Sequence, residues 1–161
     1  MRTGLTGTST VVAATGAGVV GGVFFAFSTF VMRALRGLPD RDGLAAMQAI
    51  NKAAPSPLFL TALLGTGVVT VGLAISAATR LDEPGAPYQL VGSALYLTAV
   101  VLTIVYHVPR NDALALVTPE RADAVDLWRD YARTWTAWNH VRTLTSIAAA
   151  ATLVLAFRSP S

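Results

Sequence analysis

Trp128, Tyr131, Trp135, Trp138 and Arg142 follow one another at intervals of three, four, three and four residues, which places them along one face of a helix. Such a face can stack a flat molecule and hold negative charge at its cationic end. Asn139 lies one turn beyond Trp135. The run Trp138-Asn139-His140-Val141-Arg142-Thr143 therefore brings amide donors, an imidazole and a guanidinium together. Imidazole is the side chain best suited to general-base work near neutral pH, so His140 is the expected base. Asn139 and Arg142 are the expected donors to a developing oxyanion. Successive helical residues turn by about 100°, which puts Asn139 and Arg142 nearest the aromatic face and His140 at its edge.

Other residues join this set by position. His107 closes an earlier apolar stretch and is expected at the same level as His140. Two imidazoles on neighbouring helices offer an alternative reading, a haem or copper site between His107 and His140. No cysteine is present, so thiolate ligands and thiol nucleophiles are excluded. Gln48 and Asn51 sit three apart on a short amphipathic segment whose apolar stripe is Leu44, Met47 and Ile50. They are expected to close a pocket mouth by orienting a carbonyl or hydroxyl. Asn111, just after Val108-Pro109-Arg110, is a further candidate for substrate binding.

The elements that must position these residues are apolar and long. Uncharged runs lie between Arg2 and Arg33, Lys52 and Arg80, Glu83 and His107, and from Thr143 to Phe157. A membrane-crossing helix takes roughly 20 apolar residues, which the first three runs supply. The fourth reaches that length only by starting near Trp135, which draws Asn139, His140 and Arg142 into the membrane or its interface. Ionisable groups there are costly and generally face a protein interior, so function is sought among them. Of 161 residues 53% are hydrophobic and 13% charged, too apolar for an ordinary soluble domain. The expectation is a single all-α membrane domain, a four-helix bundle with spans near 8–32, 57–79, 88–107 and 136–157 and short amphipathic helices. The net charge of +3 comes from basic residues beside acidic ones at the span boundaries, a pattern unsuited to nucleic acid.

Lysine and arginine concentrate in segments 33–56 and 108–135, while Arg2, Arg80 and Arg158 stand alone in the other connections. The positive-inside rule then places both termini outside and the two basic loops in the cytoplasm, in a bacterial-type plasma membrane. The first run is too long for a signal-peptide core and lacks a small-residue cleavage site after Phe24-Phe25-Ala26-Phe27, so it reads as a retained helix. Asp40 or Asp42 is expected to cap a helix over 43–51, Pro57 to open the second span and Val108-Pro109 to end the third. Thr118-Pro119-Glu120 is expected to begin a helix that runs on into the fourth span. Ala14, Gly18, Gly22 and Ala26 recur every four residues, the spacing of a close-packing strip.

Phe27-Ser28-Thr29-Phe30-Val31-Met32, Ala46-Met47-Gln48-Ala49-Ile50-Asn51, Val108-Pro109-Arg110-Asn111 and Trp128, Tyr131 and Trp135 to Thr143 together resemble the small membrane family that includes anthrone oxygenases. The resemblance covers nearly the whole chain, and Trp-Asn-His-Val-Arg-Thr is its most specific part. It implies a four-span membrane monooxygenase that oxidises a flat phenolic polycycle with O2 and needs no other cofactor. His107 departs from it, since the family pattern usually carries asparagine there. On this reading Trp128, Tyr131, Trp135 and Trp138 stack on the rings, and the partners are an apolar aromatic molecule and membrane lipid, with a homo-oligomer left open. A bundle that only binds lipid, quinone or a protein partner fits the same residues.

Overall fold

The computed structural model describes residues 4–159, so Arg2 of the charge pattern lies outside the described residues. Every regular element among them is helical. Helix α1 spans Leu5–Arg36, α2 Asp40–Ala53, α3 Pro57–Ala78, α4 Ala86–Ala115 and α5 Ala124–Arg158. Four of these, α1, α3, α4 and α5, are long and apolar enough to cross a membrane. They form an up-and-down bundle in which α5 packs along α1 and α4, and α3 packs between α1 and α4. Leu5, Arg158 and the 79–85 turn lie at one end of the bundle, and α2 with the α4–α5 connection at the other.

Local chemistry sets most boundaries as expected. Ser56 caps α3 by accepting a hydrogen bond from the Phe59 N–H at 3.3 Å, and Pro57 fills the first turn, where its missing N–H costs nothing. Residues Ala124 to Arg158 form one uninterrupted helix, as the continuous pattern into the fourth apolar run implied, but it starts at Ala124 and not at Thr118-Pro119-Glu120, which lie in the preceding turns. Two expectations need correction. No side chain caps α2, because Asp40 is its first residue and takes a two-point ion pair from Arg129 at 2.7 and 3.2 Å. Nor does Val108-Pro109 stop α4, which continues to Ala115. A π-helical turn over Thr103–His107 immediately precedes Pro109 and already breaks the regular hydrogen-bond register, so the ring and absent N–H are accommodated.

Similar π-helical turns occupy Phe27–Val31 in α1 and Thr61–Gly65 in α3. Each loosens a helix where it approaches the α2 end. Neighbouring helices supply donors to backbone carbonyls beside two of these turns. Tyr96 Oη of α4 donates to the Leu63 carbonyl at 3.0 Å, and Asn139 Nδ2 of α5 donates to the Phe24 carbonyl at 2.8 Å.

The small-residue strip is also placed differently. Gly18 and Gly22 face open space, and helix contact runs instead through Ala13, Ala17 and Gly21, where a Cβ on Gly21 would come within 3.2 Å of Ser146. The packing face is therefore one position round from the expected one. Small residues populate both faces of α1, so spacing alone did not distinguish them.

Candidate active site

A cavity of about 580 Å³ opens between α1, the end of α2, the start of α3, the π turn of α4 and the middle of α5. Its size falls in the range of small-molecule sites. Phe24 and Phe27 line it from α1, Met47, Ile50 and Asn51 from α2, Phe59, Leu60, Leu63 and Leu64 from α3, Thr103, Ile104, His107, Val108 and Asn111 from α4, and Trp135 and Arg142 from α5. The wall is apolar and aromatic except for a few polar groups, and no carboxylate contributes to it.

Arg142 is the principal charge in this wall. It is buried, and roughly 24 Å of helix separate it from the end of α5, at 1.5 Å per residue. Its Nη2 donates to Asn139 Oδ1 at 2.6 Å and its Nη1 to Thr103 Oγ1 at 3.1 Å. The Cζ atom lies 4.1 Å from the Phe24 ring centroid and 5.3 Å from that of Trp135. Nε has no acceptor among the described residues. Dipoles and π faces thus hold the cation in place of a counter-ion, which leaves it free to attract an anion.

Asn139 fixes that arrangement. Its amide nitrogen donates to the Phe24 carbonyl and to Ser28 Oγ, both at 2.8 Å, so its oxygen must face Arg142. Ser28 in turn contacts Thr143 Oγ1 at 2.9 Å, and Thr143 donates back to the Asn139 carbonyl. Asn139 therefore orients the guanidinium and does not itself line the cavity.

The imidazole in the cavity belongs to His107. It is fully buried, meets Trp135 edge-on at 5.0 Å between ring centroids, and lies 5.3 Å from Tyr106. The Trp138 backbone is near enough to interact with it, yet neither ring nitrogen completes a hydrogen bond of ordinary geometry. Buried polar groups are nearly always satisfied, so an imidazole that completes no hydrogen bond of ordinary geometry among the described residues keeps capacity for one toward the cavity.

His140 is exposed on the outer face of α5 and lines no part of the cavity. The expectation that it acts from within the pocket therefore fails, for the rotational reason given by the 100° step. The paired His107/His140 metal site does not converge on the cavity either. No group of three or more histidine, aspartate or glutamate side chains suited to a metal occurs among the described residues.

The aromatic face divides. Trp135 lines the cavity and touches Phe27 at 5.6 Å, while Trp128 and Tyr131 are buried behind it in the cluster beneath α2. Trp138 is 43% exposed and packs against Tyr106. Asn111 accepts hydrogen bonds from Trp135 Nε1 at 2.9 Å and Tyr131 Oη at 2.8 Å, and Asn51 donates to Tyr131 Oη at 3.2 Å. Both asparagines line the cavity. Gln48 does not, because its amide donates to the Leu114 and Val117 carbonyls and secures the end of α4. Phe24, Phe27 and Thr103 are cavity residues that the sequence did not mark as such, since nothing in their spacing separates them from ordinary helix packing.

A family model described as anthrone oxygenase matches residues 51–152, well over half of the chain. The chain belongs to the anthrone oxygenase family. The matched residues include Asn51, His107, Asn111, Trp135, Asn139 and Arg142. In this anthrone oxygenase family member, the α1 wall of the cavity lies outside the matched residues. No curated protein and no solved structure matches the chain.

Proposed function

We propose that this protein is a membrane-embedded oxygenase that converts an anthrone-like, flat phenolic polycycle to the corresponding quinone with O2. The supporting observation is a buried arginine without a carboxylate partner among the described residues, in one aromatic-lined cavity wall with an imidazole that completes no hydrogen bond of ordinary geometry among them. An anthrone carries an acidic methylene opposite a ring carbonyl. His107 removes one methylene proton, and Arg142 stabilises the enolate oxygen that forms. Preorganised charge in a dry site contributes most to such a step. The electron-rich carbanion reduces O2 and forms a C–O bond. Protonation of the resulting peroxide and loss of water, with departure of the second methylene hydrogen as a proton, leave a carbonyl. One oxygen atom enters the product and the other leaves as water, so no external reductant is required.

Trp135 and Phe27 flank the ring system, and Asn111 holds the Trp135 indole in orientation. The concentration of lysine and arginine in segments 33–56 and 108–135 supports an orientation with the cavity end toward the cytoplasm of a bacterial-type membrane and both termini outside. The test is oxygen uptake with emodin anthrone by purified protein in lipid nanodiscs. Uptake at the uncatalysed rate, from protein shown to be folded, would reject the proposal.

A further inference from the structure

Along Thr66–Ala78 and Ala86–Leu102, helices α3 and α4 pack closely. Toward α2 the arrangement changes. The Thr61–Gly65 turn rests on α1 and lacks comparable packing against Thr103–His107 of α4. Both stretches are π-helical, and such turns displace a helix from its regular course. Tyr96 ties the two helices together just where they begin to part, through its bond to the Leu63 carbonyl.

Beyond that tie, Leu60 and Leu64 of α3 and Ile104 and Val108 of α4 each line the cavity while remaining 39%, 45%, 54% and 44% exposed. Residues that belong at once to a cavity wall and to the outer surface form a rim. This rim is wholly apolar and sits within helices long enough to span a membrane. From it the cavity leads inward to Arg142 and His107 without passing a charged side chain, since Arg142 is the only charged residue in the wall.

We propose that the gap between α3 and α4 is a lateral portal through which a flat aromatic ligand enters directly from the bilayer, its acidifiable edge leading toward Arg142. The proposal rests on the oxygenase reading for its ligand class, but the route has its own test. A neutral polycycle partitions into hydrocarbon, and this path carries it from lipid to the guanidinium without rehydration. The competing route runs past Ala53, Ala54 and Pro55, the exposed part of the wall at the end of α2.

The absence of cysteine gives a clean background for a reversible closure. Leu64→Cys with Ile104→Cys, in nanodiscs, is bridged by a bis-thiosulfonate reagent. Exchange of emodin is followed by its absorbance, with the monofunctional reagent as reference. Bridging is expected to slow both loading and release at least tenfold, to trap emodin loaded beforehand, and to be reversed by reductant. A plug that merely filled the cavity would lower affinity without trapping. Leu60→Cys with Val108→Cys, one turn nearer α2, repeats the test if the first pair disturbs folding. Exchange unaffected by either bridge overturns the portal in favour of the α2 route, and failure of emodin to bind the unbridged protein overturns the ligand class. Bridge-controlled emodin exchange with no oxygen uptake from emodin anthrone in any form would keep the portal and reject the oxygenase reading.

Discussion

The two halves of the bundle solve opposite problems with the same kind of helix. Toward the termini the helices are regular and come close together: a Cβ on Gly16 would collide with Thr66, and one on Gly92 would meet Leu153 Cγ at 2.8 Å. Toward α2 three helices loosen into π turns, and aromatic and polar side chains surround a cavity. Small residues bring these helices into close van der Waals contact, the interaction that would hold this half together in the proposed membrane setting. That contact permits the other half to contain a cavity and a cation without a carboxylate partner among the described residues. One region supplies stability and the other carries its cost.

Replacing Arg142 separates the two roles most sharply. Arg142→Met should lower oxygen uptake with emodin anthrone by about 10²- to 10³-fold, the usual loss for a preorganised oxyanion donor. Its melting temperature in detergent should hold, because a buried cation without a counter-ion contributes little to stability. A large fall in melting temperature with retained uptake would reverse the contrast. For the imidazole, His107→Asn should reduce turnover by about 10²-fold, as loss of a general base does, again with the fold intact. Turnover equal to wild type would remove His107 from the chemistry.

In the regular half the signs exchange. Gly92→Val forces a side chain against Leu153 and the Ala149 carbonyl, an overpacking expected to cost about 2 kcal/mol. Reversible unfolding in detergent measures it, and turnover of the protein that remains folded should stay near wild type. Ser146 is buried with no partner for its hydroxyl among the described residues, so Ser146→Ala should leave stability unchanged or raise it by up to about 1 kcal/mol. A loss of that size would show that the hydroxyl has a function in packing. The smallest effect is expected at His140, whose exposed position predicts uptake within about twofold of wild type for His140→Ala. A hundredfold loss there would restore the base to the outer face of α5.

Much of this was readable from residue order because charge and helical period are local. The absence of charge over long runs located the four apolar helices, and Pro57 marked the start of α3. The intervals from Trp128 to Trp135, with Asn139 and Arg142, located the inward face of α5, and the same geometry warned that His140 stands about 100° from Asn139. Trp138 showed the limit of that reasoning: it fits the three-four spacing but lies at the edge of the face and is partly exposed. The inward aim of His107 was not readable. It depends on the Thr103–His107 π turn, which rotates the end of α4, and no residue in that turn announces it.

The sequence by itself determined the all-α class, the four apolar helices, the continuous α5 and the pairing of Asn139 with Arg142 on one face. Tertiary structure alone decided which helix faces meet, which histidine enters the cavity and where α3 and α4 part. The reason lies in the composition of the long helices. Their inward and outward faces are both apolar, so hydrophobicity identifies such a helix without saying which side turns inward, and with small residues on both sides of α1 the packing face was settled only by its neighbours.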